Sequence, residues 1–208
     1  LLRHMVYNSH VMISATPRLY QTLFSYHLQK YRQMIFISGP RQVGKTTVAK
    51  NLSQHTMLWD NPDHRNLILK GPAAVVGHLG LGALHQPASV TLFDELHKFM
   101  RWKSYLKGFF DSYSEATKII VTGSARLDIY RRGGDSLMGR YFPYRMHPLS
   151  VAELLCQDPP DPHRILRPPR RVPETEMTAL WEHGGFPEPF TMREPLVTHR
   201  WPRTRHQQ

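Results

Sequence analysis

Met34-Ile35-Phe36-Ile37-Ser38-Gly39-Pro40-Arg41-Gln42-Val43-Gly44-Lys45-Thr46-Thr47 joins an unbroken apolar run to a loop that fills every fixed position of the pattern GxxxxGK[ST]. Chemistry sets that spacing. Gly39 and Gly44 let the backbone curl so that successive N–H groups converge on an anion, and a helix predicted to begin near Lys45 adds the positive end of its dipole. In such a loop the lysine, Lys45, reaches the β- and γ-phosphates of a nucleotide, and the Thr46 hydroxyl ligates Mg²⁺. Phosphate binding is therefore assigned to Gly39, Pro40, Arg41, Gln42, Val43, Gly44, Lys45, Thr46 and Thr47. The bland alternative is a glycine turn that merely joins a strand to a helix. An apolar strand before the loop and a helical pattern after it argue against that alternative.

Working outward, apolar residues at Leu19, Leu23, Phe24 and Leu28 recur near helical spacing and predict an amphipathic helix over residues 17–31. Residues 34–38 read as a strand buried on both faces, and residues 45–54 as the helix after the loop. Residues 56–60 predict a second strand closed by the turn Asn61-Pro62-Asp63, with a helix following toward Leu69. The Gly-, Ala- and His-rich residues 71–88 predict one short helix. Residues 90–93 are a third strand, 102–113 a helix, 118–122 a fourth strand and 141–147 a fifth. Residues 148–155 read as a helix with Ser150 as N-cap and Glu153 at the capping-box position. Strands alternating with helices imply an α/β fold, a parallel sheet of about five strands with helices on both faces. The expected organisation is a core with an N-terminal helix over residues 1–157, a proline-rich linker over 158–173, and a partial helical segment with a basic tail over 174–208. No internal repeat is visible.

A chain of 208 residues has room for one such domain and a short appendage. The single cysteine, Cys156, has no partner for an internal disulfide, which fits a reducing, cytoplasmic compartment. No apolar stretch approaches the ~20 residues needed to span a bilayer, so no membrane role is expected. The first methionine is Met5, which suggests numbering that begins inside a longer reading frame. There are 27 Lys and Arg against 16 Asp and Glu, a formal charge of +11. That excess favours polyanions, so nucleic acid is a candidate partner, but the charge is spread along the chain and equally describes a solvated basic surface.

Hydrolysis needs more than a loop. Phe93-Asp94-Glu95 ends an apolar strand with two carboxylates: Asp94 as a Mg²⁺ holder and Glu95 to polarise the attacking water. The plainer reading makes them caps of the next helix. Thr122-Gly123-Ser124 ends the fourth strand. If that strand lies between the loop strand and the Asp-Glu strand, Thr122 or Ser124 can align the water; otherwise Ser124 simply caps a helix. An arginine reaching the γ-phosphate, in cis or from a neighbouring subunit, would stabilise transition-state charge. Arg140 ranks first and Arg132 next, among Arg126, Arg131, Arg132 and Arg140. None of the 13 histidines falls into a zinc-site spacing, so no metal besides Mg²⁺ is expected.

In this order, Gly39 to Thr47, Leu58-Trp59-Asp60-Asn61-Pro62, Phe93-Asp94-Glu95-Leu96-His97-Lys98, Trp102-Lys103-Ser104-Tyr105-Leu106-Lys107-Gly108, Val121-Thr122-Gly123-Ser124-Ala125-Arg126-Leu127 and Gly134-Asp135-Ser136-Leu137-Met138-Gly139-Arg140-Tyr141 resemble a prokaryotic group of AAA-type P-loop ATPases. Pro148-Leu149-Ser150 and Gly184-Gly185-Phe186-Pro187-Glu188 extend the resemblance. It implies an ATPase domain using ATP and Mg²⁺, commonly followed by a C-terminal domain of nuclease-like character; the residues up to Gln208 are expected to hold the ATPase module without it.

Three function classes follow. The leading one is Mg²⁺-dependent ATP binding and hydrolysis, with an arginine supplied in trans by a homo-oligomer as one arrangement. The second is a nucleotide-gated module that binds nucleic acid or protein with little turnover. The third, a small-molecule kinase, shares the loop but places an acceptor pocket where this chain has Asp94-Glu95 and the Thr-Gly-Ser strand end. No guanine-reading NKxD motif is present, which tilts the nucleotide toward ATP.

Overall fold

Five segments become strands: β1 (Met34–Ser38), β2 (His55–Leu58), β3 (Ser89–Asp94), β4 (Thr117–Thr122) and β5 (Tyr141–Arg145). All of their pairings are parallel, in the order β2-β3-β4-β1-β5. The computed structural model describes residues 18–81, 89–123, 137–155 and 171–206. The order puts β4 between the loop strand and the Asp-Glu strand, as the reading of Thr122 requires.

Parallel strands need crossovers, and among the described residues helices lie in those from β1 to β2, β2 to β3 and β3 to β4. α1 (Leu19–Lys30) precedes β1, α2 (Lys45–Leu52) links β1 to β2, and α3 (Pro62–Lys70) and α4 (Pro72–Leu79) follow β2. A 3₁₀ turn (Leu96–Lys98) and α5 (Trp102–Tyr113) join β3 to β4. Alternation along β1 shows how both faces are filled. Met34 and Phe36 join Ile68, Val75, Leu106 and Phe109 on the side of α3, α4 and α5, whereas Ile35 and Ile37 join Phe24, Val48 and Ala49 on the side of α1 and α2. All five β1 side chains are buried, so the strand has no solvent face and its unbroken apolar run is accounted for.

Beyond the sheet come α6 (Val151–Leu155), α7 (Glu174–His183), α8 (Pro187–Met192) and α9 (Pro195–His206). Leu149, Ala179 and Phe190 form a small separate core between α7, α8 and the segment before α6. That segment is stitched to the start of α8 by the Leu149 N–H, which donates to the Gly185 carbonyl at 2.6 Å.

Several boundaries shift. β2 ends at Leu58 rather than residue 60, because Asn61 turns the chain into α3 by accepting from the N–H groups of Asp63 (2.9 Å) and His64 (3.1 Å). β5 ends at Arg145, two residues early. Ser150 does accept the Glu153 N–H at 3.3 Å, yet the Glu153 carboxylate does not complete a capping box and turns to Arg18 instead. Cys156 and most of the proline-rich stretch lie outside the described residues.

The outer edge of β5 is blunted. Met34 N–H donates to the Arg140 carbonyl and Met146 N–H to the Ser38 carbonyl, so Phe142 and Tyr144 direct their backbone groups toward β1, and Tyr141, Pro143 and Arg145 direct theirs outward. On that outward side Pro143 has no N–H to offer, and the Arg145 carbonyl already accepts the Tyr20 hydroxyl at 3.2 Å.

Candidate phosphate and metal site

The carboxyl ends of β1, β3 and β4 converge, because the sheet is parallel and each strand ends in a polar residue. The loop leaves β1 at Ser38. Gly39 has φ +143, and a Cβ there would sit 2.2 Å from the Met146 carbonyl oxygen, so only glycine lets the loop pass the strand-β5 exit. Gln42 (φ 63) and Gly44 (φ 94) are also left-handed. Gly44 then caps α2, whose first internal donor is Val48 N–H to the Gly44 carbonyl at 3.0 Å. A coil of this kind, ending on a helix N-terminus, directs N–H groups into its hollow.

Lys45 is buried, and its ammonium donates to two carbonyls of the loop itself, Gly39 at 3.0 Å and Pro40 at 2.7 Å. Burial lowers the lysine's pKa, and the Glu95 and Asp94 carboxylates push the other way, which places both acids within electrostatic reach of the loop lysine.

Asp94 is the hub beneath the loop. Its Oδ1 accepts the Thr46 hydroxyl at 2.9 Å and also the Thr122 hydroxyl. The register fixes this meeting, since Asp94 is paired with Thr122 across β3 and β4, and the Gly123 N–H donates to the Ile37 carbonyl of β1. The donor set fits Mg²⁺. Thr46 and Asp94 offer hard oxygens 2.9 Å apart, close to the ~3.0 Å separating adjacent ligands on an octahedral shell with bonds of about 2.1 Å.

Glu95 follows directly and is held in the left-handed region, φ 57 and ψ 21, which costs a non-glycine residue about 1–2 kcal/mol. Its N–H donates to the Thr122 carbonyl at 3.1 Å. Its carboxylate lies 3.7 Å from both His97 Nε2 and Lys98 Nζ, and Lys98 is more closely engaged with Asp60, at 2.6 Å. Burial lowers the His97 pKa against the opposing pull of the Glu95 carboxylate, which favours the neutral ring there.

The structure thus brings together the loop, Lys45, Thr46, Asp94, Glu95 and Thr122. Ser124, Arg126, Arg131 and Arg132 lie outside the described residues. Arg140 is not brought to the loop: its carbonyl is bonded at Met34, the opposite end of β1 from Gly39, roughly 15 Å away along the strand. There its guanidinium is bidentate on Asp111 of α5, at 2.7 and 3.0 Å. An action of Arg140 on phosphate within one chain is corrected by that placement, since a residue entering β5 sits at the end of the sheet away from the phosphate loop.

The profile of a family described as an AAA domain matches residues 31–155, well over half of the chain. The chain belongs to that AAA-domain family. Its fold is the α/β P-loop nucleotide-binding architecture. No curated protein matches the sequence. Among solved structures, the chain is similar to PCH-2 of C. elegans, with 15% identity and a TM-score of 0.42, over 65% of this chain and 42% of the other. It therefore spans less than half of that protein's length. Among the described residues of this AAA domain no helix is long and apolar enough to cross a membrane.

One close neighbour of the loop was not singled out from sequence. Arg18, just ahead of α1, is buried directly behind the loop, and its Nη1 donates to the Val43 carbonyl at 2.6 Å. A lone arginine before an amphipathic helix carries no local signal of that contact. The only hint was Glu153, an acid at a helix start whose counter-charge lies 135 residues away.

Proposed function

We propose that this AAA domain binds ATP with Mg²⁺ and hydrolyses it in the cytoplasm. The observation that supports this best is the Thr46–Asp94 hydrogen bond of 2.9 Å, which sets two metal-type oxygens side by side under a phosphate loop, with Glu95 next in sequence. Residues 39–47 cradle the phosphates, and Lys45 exchanges its loop carbonyls for the β- and γ-phosphate oxygens. Thr46 and Asp94 would hold Mg²⁺, which when bound would supply charge neutralisation on those oxygens.

Glu95 accepts a proton from water as the water oxygen bonds the γ-phosphorus and the bond to the ADP oxygen breaks. Thr122, at the end of β4, or Ser124, which lies outside the described residues, aligns that water. A transition-state arginine comes from a second copy; Arg140 is a candidate for that role only in trans. The test is phosphate release from ATP and Mg²⁺ by purified protein, with Glu95→Gln expected to retain ATP binding and lose release. ATP binding by the wild type without release above buffer would refute hydrolysis.

The net charge of +11 favours a second reading, a nucleotide-gated module on nucleic acid with little turnover. It predicts DNA or RNA binding that weakens steeply with salt. A gel-shift titration at low salt with no retarded species would remove it.

A further inference from the structure

Behind the phosphate loop, one guanidinium gathers four segments of chain. Arg18 Nε donates to Glu153 Oε1 at 2.6 Å and Nη2 to Glu153 Oε2 at 3.2 Å, a fork on a carboxylate. Nη2 also reaches the His147 carbonyl at 2.7 Å, and Nη1 the Val43 carbonyl at 2.6 Å. Glu153 Oε1 further accepts the Leu19 N–H at 3.1 Å. Both side chains are 6% exposed. A buried ion pair gives little net stability over apolar packing of the same shape, so joining α1 to α6 is a poor account of it. What an apolar pair could not do is hold the Val43 carbonyl.

That carbonyl belongs to the same peptide unit as the Gly44 N–H. Among the described residues every peptide is trans, and in a planar trans peptide the C=O and N–H point in opposite directions. A carbonyl drawn back onto Arg18 therefore sends the Gly44 N–H forward, away from Arg18. Gly44 is the N-cap of α2, so that N–H precedes the helix's own hydrogen-bond ladder. Gly44, with φ +94 and no Cβ, gives this plane little intrinsic resistance to turning over. The positive charge on Arg18 also polarises the peptide it grips, which strengthens its N–H as a donor.

We propose that Arg18 is a positioning residue for nucleotide binding: balanced by Glu153, it locks the Val43–Gly44 peptide so that the Gly44 N–H is presented to the phosphates. The inference rests on the ATP-binding reading of the loop and extends it to residues outside the motif. The segment that carries Glu153 also carries Leu149, bonded to Gly185, and a Cβ on Gly44 would lie 3.9 Å from Pro187 of α8. The rear of the loop is thus in register with the C-terminal helices.

The test uses the full chain with Arg18→Met combined with Glu153→Met, which leaves no unpaired buried charge, and separately Arg18→Lys, which keeps the charge but loses the fork. ADP affinity is measured by calorimetry, and the Gly44 amide resonance is followed in unliganded, ¹⁵N-glycine-labelled protein. Both variants are expected to bind ADP about tenfold or more weakly, the scale of one lost charge-assisted hydrogen bond, and to shift the Gly44 resonance. If either readout stays at the wild-type value in a folded variant, the proposal is overturned. Should the paired variant not fold, Arg18→Lys decides the matter alone by the same two readouts, weaker ADP binding and a shifted Gly44 resonance. Wild-type protein that does not bind ADP would count against the ATP reading instead; the Gly44 resonance, recorded without ligand, then decides the role of Arg18 alone.

Discussion

The Lys45 ammonium donates to the Pro40 carbonyl at 2.7 Å, so the lysine of the phosphate loop is tied to the loop's own backbone. A phosphate must take over those donors. Lys45→Met should therefore lower ATP affinity by at least about tenfold, the scale of a charged hydrogen bond. Calorimetry with ATP checks this, and a thermal midpoint close to wild type would assign the loss to the ligand contact rather than to folding.

Asp94→Asn separates metal from phosphate. The amide keeps the shape that receives Thr46 and Thr122 but removes the charge that favours a divalent cation. In wild type, ATP affinity should rise with Mg²⁺; in the variant that response should flatten while metal-free binding survives. An ATP titration repeated across Mg²⁺ concentrations reads both.

Two glycines should respond oppositely to alanine. At Gly185 a Cβ would stand 2.3 Å from the Leu149 carbonyl oxygen, backbone that cannot swing aside, so Gly185→Ala should cost about 2 kcal/mol or more. At Gly108, inside α5, a Cβ meets nothing within 4 Å, and Gly108→Ala should stabilise by about 0.5–1 kcal/mol. Urea denaturation of the two variants gives the sign and size.

His27 sets a pH dependence. Its Nε2 lies 2.8 Å from the Gln33 carbonyl and so donates, leaving Nδ1 to accept the Tyr144 hydroxyl at 2.9 Å. Burial is the largest influence on its pKa and lowers it from 6.5. The folded chain then holds a proton less readily than the unfolded one. Above about pH 6.5 both forms are neutral and nothing is lost; below it the unfolded state gains protons first, and stability falls with pH. Thermal midpoints between pH 7.5 and about pH 5 should decline, and His27→Gln should decline less steeply.

What could be read in advance was what local chemistry decides. β1 and the loop were legible because a two-faced apolar run and a glycine-spaced phosphate cradle each leave a mark within a few residues. α5 was legible to its ends, Trp102–Tyr113, because four buried residues, Tyr105, Leu106, Phe109 and Phe110, repeat at helical spacing. Thr46 and Asp94 could each be read as a Mg²⁺ ligand from its own motif, but the strand order that brings them together came from the fold. Arg18 was not legible, since its partners Val43, His147 and Glu153 are scattered through the chain and only the finished fold assembles them. Arg140 shows the same limit from the other side. Its sequence context offered a cation free to act on phosphate, and the fold placed it on Asp111 at the far end of the sheet.

The proline at the outer rim of β5 has a consequence for company rather than for chemistry. With Pro143 silent as a donor and the Arg145 carbonyl engaged by Tyr20, a passing extended segment meets an interrupted ladder along that margin. Copies of the chain that meet there find fewer backbone partners than a clean edge would offer, which shifts the encounter toward side chains and makes it more selective.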